Sequence, residues 1–210
     1  MKANFVNGLK NGWRNYYYET GIVHSKMYFK NDTAEGIEYQ YYENGSLNYR
    51  ANLSKGKRYG DLYWYFKNGK LDSYAAFDVK EESFCLFEYD QTGKIIGMKG
   101  VVISYNIYSL NKKNYSTIVL NDDGYHRDIK YSNIKDLYIT VATPPNVDVI
   151  VNADINNIHF KNLSIHDNSI KIPNVFMDKG PYKIFIDANM KDKSGKLIKG
   201  MKMRRIIHKE

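Results

Sequence analysis

The first half of the chain repeats with a constant step of 24 residues. Glycine recurs with this step at Gly12, Gly36 and Gly60, and again at Gly21, Gly45, Gly69 and Gly93. Two apolar columns keep the same step: Phe5, Phe29, Leu53, Phe77 and Val23, Leu47, Leu71, Ile95. A fixed period of this length predicts small supersecondary units that bury their apolar surface by stacking on one another.

Each unit is predicted to be a β-hairpin. The turn pairs Thr20-Gly21, Asn44-Gly45, Asn68-Gly69 and Thr92-Gly93 place glycine where a two-residue hairpin turn, or its bulged relative, requires positive φ. We expect the leading glycines at 12, 36 and 60 to close the longer connection between hairpins, where Asn7-Gly8 and Lys55-Gly56 form another turn. Because an isolated hairpin is marginal in water, the units must pair edge to edge in one sheet.

The repeat ends near residue 100, where the composition changes to alternating Ile, Val and Asn. Seven strands are predicted beyond this point, at 101–108, 115–120, 136–142, 147–151, 157–160, 183–188 and 197–207. That number of short strands is typical of an antiparallel β-sandwich of immunoglobulin-like type. We therefore predict an all-β chain, with a hairpin-repeat domain at 1–99 and a sandwich domain at 100–210.

The composition agrees with a β-rich soluble protein. The chain has 20 Tyr and 2 Trp, residues that fit a half-buried pleated surface. Its single cysteine, Cys85, excludes an internal disulfide framework. No segment approaches the roughly 18 apolar residues of a membrane span, and the N-terminal residues lack the apolar centre of an export signal.

The repeat units resemble a known family. The residues that carry the resemblance are Gly36, Tyr41, Tyr42, Glu43, Asn44, Gly45 and Leu47 in the second unit, and Gly60, Tyr63, Tyr65, Asn68, Gly69 and Leu71 in the third. They resemble the bacterial variant of the MORN repeat, often labelled YwqK-like antitoxin. The first unit has Glu19-Thr20-Gly21 at its turn, and the fourth has Phe84 and Asp90 at motif positions, as in a capping repeat. Over residues 5–97, the resemblance implies a hairpin-repeat fold that serves lipid binding, protein binding or scaffolding.

One tyrosine column occupies the same position in all four units: Tyr17, Tyr41, Tyr65 and Tyr89. Equivalent strands of successive hairpins are about 9 to 10 Å apart, so these rings would form a ladder on one sheet face. The opposite face carries Gln40, Trp64 and Glu88. Two interpretations stay open: the rings of both faces fill the groove of a single-layer sheet, or the mixed face that carries Gln40, Trp64 and Glu88 forms an exposed platform for a peptide strand, a glycan or another protein. The tyrosine column and an exposed Trp64 are the candidate partner-binding residues.

A basic C-terminal segment is a second candidate site. Residues 191–210 hold eight basic and two acidic side chains of a chain with net charge +8. Its candidate anion-binding residues are Lys199, Lys202, Arg204 and Arg205, which suit an anionic membrane or polyanion. The alternative is that these lysines only keep a sheet edge soluble.

No motif indicates catalysis, a cofactor or specific nucleic-acid binding. The nearest approach to a metal cluster is His159 and His166 with Asp154 and Asp167, but this set lacks the spacing of a tetrahedral zinc site. We therefore predict a non-enzymatic interaction protein whose hairpin array presents an aromatic surface and whose sandwich spaces or anchors it. The alternatives are peripheral binding to an anionic surface and, from the family label, neutralisation of a cytoplasmic toxin. We expect a bacterial envelope or secreted location with the export signal removed, with the cytoplasm as the alternative.

Overall fold

All regular structure in the described part of the chain is β-strand. The computed structural model describes residues 1–77, 83–109, 115–118, 129–131, 134–175 and 177–209. By its internal contacts the chain divides into two compact units, Met1–Lys99 and Gly100–Glu210. The predicted all-β fold is confirmed.

The first unit is a nine-stranded antiparallel sheet in which each strand pairs with its neighbours in sequence. Each 24-residue repeat supplies two strands, so the predicted edge-to-edge stacking of hairpins is confirmed. The strands are β1 (Lys2–Val6), β2 (Leu9–Tyr17), β3 (Val23–Lys30), β4 (Thr33–Tyr41), β5 (Leu47–Ser54), β6 (Lys57–Tyr65), β7 (Leu71–Phe77), β8 (Ser83–Tyr89) and β9 (Ile95–Gly100).

The hairpin turns within the repeats are of the bulged kind. In the first repeat, the Gly21 N–H donates to the Tyr18 carbonyl (3.0 Å) and the Tyr18 N–H donates to the Ile22 carbonyl (2.8 Å). The glycine has φ of 85°, which an L side chain rarely adopts. This is a three-residue loop, and the same pair of bonds recurs around Gly45, Gly69 and Gly93.

Tight two-residue turns connect one repeat to the next. Asn7-Gly8 and Lys55-Gly56 form two of them, as predicted, with positive φ at both residues. The third, Asn31-Asp32, has φ of 49° and 61° and was missed because it contains no glycine. Asn and Asp tolerate this left-handed region better than other L residues do.

The leading glycines do not close these connections, and that expectation is wrong. Gly12, Gly36 and Gly60 lie inside β2, β4 and β6, each at the centre of a bulge where three residues oppose one. Their φ values are 107°, 80° and 67°. The bulge, not the turn, therefore requires the glycine.

The second unit contains two sheets. One has the order β11-β10-β13-β16 and the other β12-β18-β17-β14-β15. The strands are β10 (Ile103–Ser109), β11 (Tyr115–Ile118), β12 (Ile129–Tyr131), β13 (Ile134–Val141), β14 (Val147–Ile155), β15 (Ile158–Phe160), β16 (Ser169–Ile172), β17 (Gly180–Asp192) and β18 (Leu197–Lys209). All seven predicted strands occur, with residues 119–120 of the second one outside the described part of the chain, whereas the short strands β12 and β16 were missed.

Each sheet of the second unit has one buried apolar face, as a sandwich requires. In β17, Ile184, Ile186, Ala188 and Met190 are buried and alternate with more exposed residues. In β13, Leu137, Ile139 and Val141 follow the same alternation. Pairing is antiparallel except between β12 and β18, which run parallel and so depart from the purely antiparallel prediction.

Candidate functional site

The tyrosine column lies on one face of the repeat sheet, at the ends of β2, β4, β6 and β8. The rings of Tyr39 and Tyr41 are stacked with centroids 6.4 Å apart, and Phe87 and Tyr89 repeat this arrangement at the same distance. Exposure falls along the column, from 36% at Tyr17 to 3% at Tyr89. Tyr89 is therefore a core residue with no surface to offer a partner, whereas Tyr17 is open.

Cations and rings alternate across this face, which we call the aromatic face. Asn15, Lys26, Tyr39, Arg50 and Tyr63 lie directly opposite one another on successive strands. The Arg50 guanidinium lies 5.5 Å from the centre of the Tyr63 ring. Such cation–π pairs hold flexible basic side chains against rigid rings.

Trp13 is the centre of the exposed part of the aromatic face. Its ring packs edge-on against Tyr28 at 5.5 Å and lies 6.3 Å from Tyr39. The Lys26 ammonium lies 4.4 Å from the Trp13 ring centre and 5.4 Å from that of Tyr39. Sequence reasoning missed Trp13 because the equivalent positions in the other repeats are Ile37, Asp61 and Cys85, so no column points to it.

On β6 and β7, a buried carboxylate, Asp61, accepts hydrogen bonds from two tyrosines of the aromatic face. The Tyr63 hydroxyl donates to one oxygen of Asp61 (3.0 Å) and the Tyr74 hydroxyl donates to the other. Burial, followed by the charge of Asp61, raises the pKa of Tyr63. Burial also raises the pKa of Tyr41 and Tyr65. These three phenols stay neutral near neutral pH, and Asp61 fixes the hydroxyl groups of Tyr63 and Tyr74.

Trp64 lies on the opposite face and is not the exposed platform residue that was expected. It is half-buried, with its ring 5.6 Å from that of Tyr49. It packs on the core cluster of Tyr49, Ala51, Leu62 and Ala75. The expectation of exposure is wrong because strands on both sides of β6 supply apolar neighbours for the indole.

Exposed large apolar side chains are concentrated in β1–β3 and the turn between β1 and β2, which we call the open end of the array. They are Phe5, Val6, Leu9, Trp13, Tyr16, Tyr17 and Tyr28. The core cluster, by contrast, lies on β5, β6 and β7. Trp13, Tyr17 and Tyr28 lie on the aromatic face, whereas Phe5 and Tyr16 lie on the opposite face. A group of exposed rings on one face of a sheet is typical of an interaction surface.

Part of the sequence of this sheet matches a known family. Residues 11–31 and 34–54 match the MORN repeat variant family. The first two repeats are MORN repeats. The family match covers the first and second units, whereas the motif residues in the sequence had indicated that the second and third units are most similar to the family. We refer to the nine-stranded sheet that contains these two repeats as the MORN array.

Two crystal structures of the extracellular domain of BT4673 from B. thetaiotaomicron are similar to this chain, at 12% sequence identity and a TM-score of 0.32. The alignment covers 94% of this chain, which spans only 30% of the length of that domain. None of the curated proteins matches the sequence.

The candidate anion-binding residues lie outside the MORN array, on β18. Lys202 is directly opposite Asp187, and the Arg204 guanidinium lies 4.7 Å from the centre of the Phe185 ring. Lys199 is opposite Met190, and Arg205 is opposite Ile184. Lys202 and Arg204 thus share one face with a carboxylate and a ring, and they do not form a purely basic patch.

A cavity of about 320 Å³ lies beside these residues in the second unit. Asp154, Phe185, Asp187 and Lys202 line it together with His159, whose Nδ1 is 2.7 Å from an Asp154 carboxylate oxygen. In the described part of the chain, no three His, Cys, Asp or Glu side chains come together as metal ligands would. Nor does that part contain a helix able to cross a membrane.

Proposed function

We propose that the MORN array is a non-enzymatic protein-binding module whose contact surface is the aromatic face at the open end. The observation that carries this proposal is the exposure of three rings on that face, Trp13, Tyr17 and Tyr28. The residues equivalent to Trp13, Tyr17 and Tyr28 in the second and third repeats are half-buried or buried, so the exposure of these three rings belongs to one end of the array.

The composition of the surface supports a protein partner. Trp, Tyr and Arg are the residues that most often carry binding energy at protein interfaces. Trp13 and Tyr28 are rigid, and Lys26 is already held against Trp13 and Tyr39 before any partner arrives. Side chains ordered in advance lose little entropy on binding, so more of the contact energy appears as affinity.

Trp13→Ala and Tyr28→Ala test the proposal in the full chain. Tagged wild-type and variant proteins would be cross-linked in extracts of the native host, and partners attached to the open end identified by mass spectrometry. We expect each substitution to weaken retention of the same partner by about tenfold or more, the effect of losing an interface anchor.

Ile96→Ala provides the matched control, because Ile96 is an exposed apolar residue on β9 at the other end of the same sheet. It should leave retention unchanged. If Trp13→Ala and Tyr28→Ala fold normally by circular dichroism and hold the partner as strongly as wild type, the aromatic face is not the binding surface.

A further inference from the structure

A column of cations follows the 24-residue step on the aromatic face. Its members are Lys2, Lys26 and Arg50, and Tyr74 takes the next position, where the sheet is buried. Lys26 and Arg50 belong to β3 and β5, inside the array, and both are half-buried. The neighbours of these two cations are therefore set by strands on both sides and not by the first strand of the sheet.

These two cations have rings as neighbours but no carboxylate. Among the described residues, neither the Lys26 ammonium nor the Arg50 guanidinium forms an ion pair, and the Nε of Arg50 is buried without a hydrogen-bond partner. Elsewhere in the sheet, by contrast, Lys10 is paired with Asp32 at 3.5 Å. An unpaired cation held against a rigid ring attracts an anion and loses little side-chain entropy when it binds one.

The spacing of the cations limits the shape of a ligand. Lys26, Tyr39, Arg50 and Tyr63 lie directly opposite one another on successive strands, so they form a row that runs across β3 to β6. Neighbouring strands are about 4.8 Å apart, which places the two cations about 9.6 Å apart with a ring between them. We call these four residues the cation–ring row.

A polyproline II helix has the period of this row. It rises about 3.1 Å per residue with three residues per turn, so side chains three positions apart point the same way at about 9.3 Å. Side chains on one face of a β-strand are about 6.7 Å apart, and an α-helix returns to one direction after seven residues, at about 10.5 Å. Proline-rich segments in this conformation also bind exposed aromatic rings.

We infer that the partner segment bound by the aromatic face is a proline-rich polyproline II helix that lies across the strands and carries an acidic residue at every third position. Its carboxylates would meet Lys26 and Arg50. Its prolines would pack against the rings beside these cations, those of Trp13, Tyr39 and Tyr63. The inference rests on the proposed function and names the partner's chemistry and shape.

The test uses the full chain and synthetic peptides of about twelve residues, with binding followed by fluorescence anisotropy. The first peptide consists of Glu-Pro-Pro triplets. Its controls are a peptide of Gln-Pro-Pro triplets and one with the composition of the first but with its glutamates adjacent. We expect the Glu-Pro-Pro peptide to bind less tightly as salt rises, and each control to bind at least about fivefold more weakly.

Lys26→Gln removes one charge of the cation–ring row. We expect it to weaken binding of the Glu-Pro-Pro peptide by about fivefold and to leave binding of the Gln-Pro-Pro peptide unchanged. Lys30→Gln is the matched control, because it removes the same charge from an exposed lysine of the same strand. Lys30 is four residues from the row, about 13 Å, which exceeds the screening length of about 8 Å at physiological ionic strength. It should bind as wild type.

Equal binding of the Glu-Pro-Pro and Gln-Pro-Pro peptides would overturn the inference, because the acidic residues would then have no role. Equal binding of the peptide with adjacent glutamates would exclude the spacing of three residues and also overturn it. Polyglutamate that binds as tightly as the Glu-Pro-Pro peptide would assign the row to any polyanion. Unchanged binding by a normally folded Lys26→Gln, or no binding of any peptide, would likewise show the inference to be wrong.

The two proposals fail separately. If Trp13→Ala and Tyr28→Ala release the cellular partner but wild type does not bind the Glu-Pro-Pro peptide, the binding face stands and the acidic polyproline II segment is wrong. If these variants keep the partner, the proposed function fails whatever the peptides do.

Discussion

Single hydroxyl groups join one repeat of the MORN array to the next. The Tyr18 hydroxyl donates to the Tyr41 carbonyl (2.7 Å), and the Tyr42 hydroxyl donates to the Tyr65 carbonyl (2.8 Å). Each bond runs from the hairpin turn of one repeat to the strand end of the following repeat. The third repeat has Phe66 at this position and cannot continue the series. Tyr18 and Tyr42 therefore contribute to repeat stacking through their hydroxyl oxygens as well as their rings.

Tyr42→Phe removes one of these bonds and keeps the ring. We expect it to lower the free energy of unfolding by about 1 kcal/mol, the net value of a partly buried hydrogen bond. Urea unfolding at neutral pH measures the change. Tyr16→Phe alters an exposed tyrosine and should be nearly neutral. Equal stability of Tyr42→Phe and wild type would show that the hydroxyl has no role in stacking.

At the scale of the strand, the bulge glycines separate what the sequence predicts, the strands and their order, from what it does not, the local backbone structure at each glycine. The 24-residue step predicted the strands and their order, because a period in sequence becomes a period in the sheet. It placed Gly12 and Gly36 in the wrong local structure, because turns and bulges both need positive φ and the sequence pattern alone does not separate them.

Gly36→Ala tests the bulge. No atom lies within 4 Å of the position a Cβ would take, so the cost is backbone strain at φ of 80° and not a clash. We expect a loss of about 1–2 kcal/mol, since L residues pay this in the left-handed region. Gly36→Asn should cost less, because Asn tolerates that region. A thermal or urea unfolding series in which Ala and Asn are equally harmless would exclude a strained bulge.

At the scale of the whole molecule, burial is the property that the sequence predicted least well. Tyr17 and Tyr89 occupy equivalent positions, yet one is exposed and the other is core. Repeat position cannot distinguish them, because exposure depends on where a repeat stands within the array. For the same reason Trp64 was expected to be exposed, although it is half-buried.

The burial of tyrosines also lowers the free energy of unfolding as the pH rises into the alkaline range. Burial raises the pKa of Tyr49 to about 12 from its ordinary value of 10, although the charge of Arg58 opposes the rise. Below pH 10 this tyrosine is neutral in both states and its contribution to stability is complete. Between pH 10 and about 12 it ionises in the unfolded chain and stays neutral in the folded one, so stability falls.

Tyr49→Phe isolates this effect, because the ring remains and the ionising group is removed. Between about pH 8 and pH 11, we expect wild type to lose on the order of 1–2 kcal/mol more unfolding free energy than the variant. Tyr59→Phe changes an exposed tyrosine and should show the wild-type pH dependence. Urea unfolding at each pH measures the free energies, and ultraviolet absorbance follows phenolate formation. Identical alkaline losses in wild type and Tyr49→Phe would mean that Tyr49 ionises as readily in the folded chain as in the unfolded one.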